Sequence, residues 1–436
     1  MAYILEHVTV IDVEREKVFT GAIRIEGDTI AAVHEGDAPE TDAQRVDLEG
    51  RYVMPGLIDM HCHIKEGFAP HFTAAGVTTV RNTAGNVIEL EKLIHAPTDA
   101  PTPRVYASDR MIDGPPGLWG ETALANFVTD DLEAARAEVR RQAAAGAQFI
   151  KVYGLLSKEA MRAVAEEAKQ HGLEVSGDLI HSSVTAVEAA ELGVTWLEHA
   201  SGIVQAMYPG WTMASTDVDI DWEQPDLERM EAVCRELLRH NVNLCPTLLV
   251  LDQIQQLPSP WEAEFLFKED GRLSGSGMLN THWIGLAQQE ELLKTHMGFL
   301  LETVKAAAKM YRALGGTVVA GTDCPAGVWT YAGTGLHREL ELFTDMGWTE
   351  MEALQSATST AAASIGLTDR GTIKAGCKAD LLILDQNPLE SISNTQTIHQ
   401  VIKGGKCYTS NDILGHVPSP AYLKQREEEV AAAFPL

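Results

Sequence analysis

The feature that most constrains this chain is a long alternation, in its middle, of short apolar strand-like runs with amphipathic helical stretches. Strand-like runs recur at 56–64, 76–82, 104–110, 148–154, 173–178, 195–200, 241–250 and 316–323. Between them, 131–146, 157–172, 184–193 and 226–241 carry apolar residues at helical spacing. Ser157 is placed as an N-cap, and Gly146 and Gly172 as C-terminal stops. Eight strand–helix units over roughly 300 residues predict an α/β fold, a (β/α)8 TIM-like barrel. An open doubly wound sheet competes, but no Gly-x-Gly-x-x-Gly turn follows the first of these strands.

The two ends read differently. Residues 1–55 and 369–415 are β-rich with turn residues between the runs, which predicts one small composite β-sandwich built from both termini. The barrel then occupies 56–368, and 416–436 is a tail with a short exposed helix. Three segments exceed ordinary connectors: 111–128, 201–225 and 251–300. All follow strands, so in a barrel they would rise from the face that holds active sites and form substrate walls, lids or a subunit contact.

Charge narrows the partners. With 34 Lys+Arg against 62 Asp+Glu, the net charge of −28 repels phosphate backbones and anionic lipid surfaces, so neither nucleic acid nor membrane is expected. No run of about 18 apolar residues could span a bilayer, and no leader-like opening is visible. Six cysteines form no Cys-x-x-Cys pair and read as reduced thiols. A cytoplasmic location is the expectation.

The strongest chemical signal is His61-Cys62-His63 at the end of the first barrel strand. Strand side chains alternate faces, so both imidazoles point one way, well placed to hold a divalent metal. Alone, a His-x-His is a weak signal. Partners recur at later strand ends: Lys151 in FIKVYG, His199 in LEHASG and Asp323 in AGTDCP. Lys151 sits in an apolar strand, where its charge is costly unless paired or chemically altered. A core histidine, a salt-bridged lysine or a turn aspartate would explain each alone; jointly they are hard to obtain by chance.

With these residues in place, the sequence resembles the amidohydrolase superfamily, in particular its imidazolonepropionase-like and prolidase-like binuclear metal-dependent hydrolases. The resemblance rests on VMPGLIDMHCHI, AAGVTTVRN, GAQFIKVYG, LGVTWLEHASG, GGTVVAGTDCPAG and GTIKAGCKADLLILD, and spans roughly residues 3–408. It implies two divalent ions, most naturally zinc. His61 and His63 would bind the more buried one. Lys151, carboxylated by CO2, would bridge both, His199 would bind the second, and Asp323 would bind the first and move protons. The family's strand-five histidine has no direct counterpart: the slot holds Asp178, with His181 three residues on. Either fits zinc chemistry; the choice leans to His181 as the functional histidine, whereas strand placement favours Asp178.

The implied activity is zinc-dependent hydrolysis of an amide, peptide-like or an N-acyl amino acid or aryl-amide, by a metal-activated hydroxide, with Asp323 and His199 as catalytic groups. Lactone, phosphotriester or cyclic-imide hydrolysis is the alternative, and a non-catalytic barrel relative the reading from another class. Tyr153 and Arg110 are candidate contacts to a small-molecule substrate, with Arg81 and Lys65 as further cations near strand ends. Met207, Tyr208, Trp211, Met213 and Trp222 suggest an apolar wall or a subunit interface. A homo-oligomer is the expected assembly.

Overall fold

The computed structural model describes residues 2–212, 220–256, 290–326 and 330–433, with backbone alone for 290–294. The predicted alternation is present. A seven-stranded, all-parallel sheet runs in the order Asn126–Val128, Met111–Asp113, Phe149–Val152, Glu174–Gly177, Trp196–Glu198, Asn243–Cys245, Thr317–Val318. A three-stranded parallel sheet holds Leu57–Cys62, Val77–Asn82 and Arg104–Ala107. Bridges Cys62–Cys324 and Ser108–Phe149 join the two sheets at both outer edges of the smaller one. Leu57–Cys62 and Phe149–Val152 are buried at every position, as expected for parallel strands covered on both faces.

Local chemistry explains the intervening helices. Asp131 accepts from Ala134 N at 2.7 Å to open Leu132–Ala145, and Gly146 closes it in the left-handed conformation. Ser157 accepts from Ala160 N at 3.2 Å to open Lys158–Gln170. That helix buries Met161, Val164, Ala165 and Ala168, one stripe at helical spacing, against the sheet. Thr185 and Glu188 form a capping box at Ala186–Leu192. The expected strand at 241–250 stops at Cys245, because Pro246 has no N–H for the ladder; Leu248–Gln256 is a helix. Segment 111–128 is no bare loop: its ends add two strands to the parallel sheet.

The chain's two ends share one eight-stranded sheet. Leu381–Leu384 pairs antiparallel with Tyr52–Pro55, which lies parallel to Ala2–Asp12. Val8, Val10, Ile23, Val53, Leu381 and Ile402 form its own apolar cluster. The tail carries helix Pro420–Ala433, fastened by Tyr422 Oη and Arg426 Nε to Glu66 at 2.7 and 2.9 Å. All six cysteines are free thiols, five of them buried. Among the described residues, no helix is long and apolar enough to cross a membrane.

Arg104 ties the two units together. Its Nε donates to Asp380 Oδ2 at 2.7 Å, and Asp380 Oδ1 also accepts from Gly404 N at 2.7 Å. Asp380 is buried, and Lys403 Nζ, 3.9 Å from its Oδ1, is a second, more distant cation, so removing Arg104 leaves the charge only partly compensated. Arg104→Met is expected to lower the unfolding free energy by roughly 1.5–3 kcal/mol, read as a lower urea midpoint; an unchanged midpoint would contradict this assignment.

Candidate metal centre

Parallel strands place their carboxyl ends on one side, and the candidate residues meet there. His61 and His63 leave the end of Leu57–Cys62 with ring centroids 5.5 Å apart. Asp323, beyond Thr317–Val318, sets Oδ1 3.1 Å from His61 Nε2 and 2.9 Å from His63 Nε2. Asp178 follows Glu174–Gly177, and its Oδ2 lies 3.2 Å from His199 Nε2 and 3.9 Å from Lys151 Nζ. The His61 and His199 rings stand 4.7 Å apart, which brings both halves into one cluster. One ligand atom each from His61, His199 and Asp323 fall within 4.8 Å of one another.

The cluster is charged and half-sheltered: His61, Lys151 and Asp178 are buried, whereas the His63, His199 and Asp323 side chains stay partly exposed. Burial pushes the Asp178 and Asp323 carboxyls up, but His199 and the other cationic partners outweigh it and hold both below the usual carboxylate range. Lys151 Nζ is buried without a hydrogen-bond partner. An ammonium with three unmet donors is costly there. Imidazole nitrogens, carboxylate oxygens and an orphaned amine in one cluster fit a divalent-metal centre.

A supporting layer fixes these side chains. Glu198 is fully buried and sets Oε2 2.6 Å from His61 Nδ1. An ionised carboxylate only accepts, so Nδ1 carries the proton and Nε2 is the nitrogen presented to the cluster. Arg81 Nη1 and Ser176 Oγ donate to Glu198 Oε1 at 2.7 and 2.5 Å. Burial raises the Glu198 carboxyl, yet Arg81, His61 and Lys151 hold it well below its ordinary range. The Arg81 guanidinium is itself sandwiched 4.1 Å from the Phe149 ring and 4.3 Å from Trp196. Asp59 accepts from His61 N and Thr322 N, both at 3.1 Å, and from Thr322 Oγ1 at 2.7 Å, joining the first strand to the backbone before Asp323. Thr247 Oγ1 lies 2.6 Å from His199 Nδ1. His199, Asp323 and Thr247 have φ of 58°, 56° and 47°, left-handed backbone that a non-glycine residue keeps only where its surroundings impose it. Gly321 is required nearby, since a Cβ would sit 2.5 Å from Cys245 Sγ and 2.7 Å from His61 N.

Several expectations need correction. His181 is exposed in a turn at φ 58°, outside the cluster, because the chain bends away after Asp178; Asp178 occupies the position beside His199. Arg110 is bound at 2.8 Å through both Nε and Nη2 to Glu138, Arg81 lies inside the sheet, and Lys65 pairs with Glu89 at 2.9 Å. These cations are taken by carboxylates of the chain. Tyr153 is buried beside Asp178, where burial first and that carboxylate next raise its hydroxyl pKa. Met207, Tyr208 and Trp211 are buried in the main core, and Trp222 packs on His296 and Phe299 at 4.4 and 5.3 Å. They close the scaffold rather than form an open wall. Met213 and residues 257–289 of the long insertion lie outside the described residues. Sequence reasoning missed Glu198, Asp59 and Thr247; the available signal was an acid within an apolar strand, in LIDMH and in WLEHA.

Known proteins resemble this chain in sequence and in fold. The model of the amidohydrolase family matches residues 52–407. The chain is 25% identical over 426 residues to an ochratoxinase of Aspergillus niger, covering 82% of this chain and 75% of that protein. It is 26% identical over 371 residues to an imidazolonepropionase of Chromobacterium violaceum, covering 80% and 81%. The solved A. niger ochratoxinase superposes with a TM-score of 0.68 at 20% identity, over 93% of this chain and 95% of that one. A Xaa-Pro dipeptidase with bound methionine in its active site gives a TM-score of 0.69 at 20% identity, over 94% and 100%. The two structural likenesses speak to the fold.

Glu198→Gln keeps the size of the side chain but removes the charged acceptor behind His61. Affinity for zinc is expected to fall by roughly 10–100-fold in chelator competition; wild-type retention would refute the role given to Glu198.

Proposed function

The chain belongs to the amidohydrolase family, and from that premise we propose that it is a metal-dependent hydrolase of an amide carbon–nitrogen bond in a small molecule. The observation that carries the proposal is the convergence of His61, His63 and Asp323 with Lys151, Asp178 and His199 at one set of strand ends. In this reading the two parallel sheets are one closed (β/α)8 barrel over 56–368, and the shared terminal sheet is the composite β-sandwich of 1–55 and 369–415. The bridges at Cys62–Cys324 and Ser108–Phe149 support closure.

His61, His63 and Asp323 would hold one divalent ion and Asp178 and His199 a second, zinc being the metal their nitrogen and oxygen donors suit. Lys151, its Nζ carboxylated by CO2 with loss of a proton, would bridge them; the orphaned, buried Nζ supports that change. Such ions supply Lewis acidity toward the scissile carbonyl and bring the pKa of a water close to neutrality. Asp323 takes the proton released as that water adds to the carbonyl, and returns it to the leaving nitrogen. His61, held by Glu198, and His63 would hold the first ion beside Asp323 Oδ1, which lies 3.1 and 2.9 Å from their Nε2 atoms. His199 is oriented by Thr247 and Asp178, so that its Nε2 would be the nitrogen offered to the second ion. Tyr153, beside Asp178, helps shape the substrate floor.

The test is a metal-supplemented screen of N-acyl amino acids, dipeptides, aryl amides, lactones and aryl phosphotriesters. Amide turnover is expected, abolished by a chelator and by His61→Ala with His63→Ala. Asp323→Asn is expected to lower kcat by roughly 10²–10⁴-fold. Faster turnover of lactones or phosphotriesters than of every amide would overturn the substrate class. Asp178→Ala and His181→Ala separate the strand-five assignments: the first should release metal, and the second should leave kcat/KM unchanged.

A further inference from the structure

Glu339 is a fully buried acidic side chain on helix Thr334–Asp345, its carboxyl raised to about 8 by burial, with no part in the proposed chemistry. Its Oε1 accepts from Leu248 N at 2.9 Å and its Oε2 from Leu249 N at 2.7 Å. These are the first two N–H groups of helix Leu248–Gln256, which has no earlier turn to bond them. The residue before that helix is Thr247, and a threonine there ordinarily turns its own hydroxyl back to cap such groups. Here Thr247 does otherwise: its Oγ1 lies 2.6 Å from His199 Nδ1, on a different strand end. Thr247 also holds φ at 47°, a costly conformation for a β-branched residue. The same two helices are fastened again by Arg338, whose Nε and Nη2 donate to Asp252 at 3.0 and 3.1 Å.

We propose that Glu339 is a positioning residue for His199: by capping helix Leu248–Gln256 from the neighbouring helix, it releases the Thr247 hydroxyl to hold the His199 ring with Nε2 toward Asp178. A neutral imidazole that ligates through Nε2 carries its proton on Nδ1 and needs an acceptor for it. Thr247 Oγ1 is that acceptor. Without the two acceptor oxygens of Glu339, the freed N–H groups would recapture the hydroxyl, and the ring would lose its second anchor. The inference rests on the metal-hydrolase reading, with His199 as a ligand.

The experiment compares wild type, Glu339→Gln, Thr247→Val, Thr247→Ser and the double variant Glu339→Gln/Thr247→Val. Zinc retention is read by chelator competition, and kcat on the amide found in the screen. Glu339→Gln and Thr247→Val are each expected to weaken retention of one zinc by roughly 10–100-fold. Thr247→Ser, which keeps the hydroxyl, should restore it. The double variant should be no worse than Thr247→Val alone, because both act through one contact. Wild-type retention in Glu339→Gln, or losses that multiply in the double variant, overturns the assignment. If Glu339→Gln does not fold, the Thr247 pair decides: weakened zinc retention in Thr247→Val with recovery in Thr247→Ser supports the hydroxyl's role, and wild-type retention in Thr247→Val overturns the proposal. A wild-type protein that retains no metal and cleaves no amide overturns the hydrolase reading beneath it, whereas the other failures leave that reading standing.

Discussion

The Glu198 carboxylate, fully buried between Arg81 and His61, is the interaction on which the centre depends. An ionised carboxylate inside a protein is tolerable only when its charge and lone pairs are met. Arg81 supplies the charge, Ser176 and Arg81 fill one oxygen, and His61 Nδ1 fills the other. The aromatic rings of Phe149 and Trp196 accommodate the guanidinium from both sides. Four strands besides the one that carries Glu198 therefore contribute to satisfying one group, and the same group selects which nitrogen His61 presents. Structural necessity and metal chemistry share the carboxylate.

The two halves of the cluster are supported differently. His61 leans on a charged acceptor, while His199 leans on the neutral hydroxyl of Thr247, which the Glu339 cap on the adjoining helix leaves free for it. A carboxylate behind an imidazole makes it more basic than a hydroxyl does. Asp178 in place of the expected histidine adds negative charge on the second half and brings an acceptor within reach of both Lys151 and His199. The left-handed backbone at His199, Asp323 and Thr247 places local strain at points where side chains of the cluster and its support emerge.

Legibility followed the range of the governing interaction. Ser157 and Gly146 were readable as helix ends because capping is settled within a few residues. His61 with His63, Lys151 and Asp323 were readable because strand alternation and an apolar context mark inward polar groups. The strand expected at 241–250 was too long, although Pro246 was there to end it. Tyr208 and Trp211 looked like a candidate substrate wall in sequence and are core in the fold, since composition does not say which face of a long segment is covered. Arg110 looked available for a carboxylate until folding placed Glu138 against it.

By itself, then, the sequence determined the alternation of strands and helices, the two β-rich ends and the kinds of donor at the strand ends. These depend on side-chain period and residue chemistry, which are local. Tertiary structure alone decided that Asp178 and not His181 stands beside His199, that the termini hydrogen-bond into one sheet, and that Glu198 lies against His61 across 137 positions of chain. Those pairings follow from strand register and from how the two parallel sheets meet. No short-range periodicity encodes either, because each is settled by burying many distant residues at once.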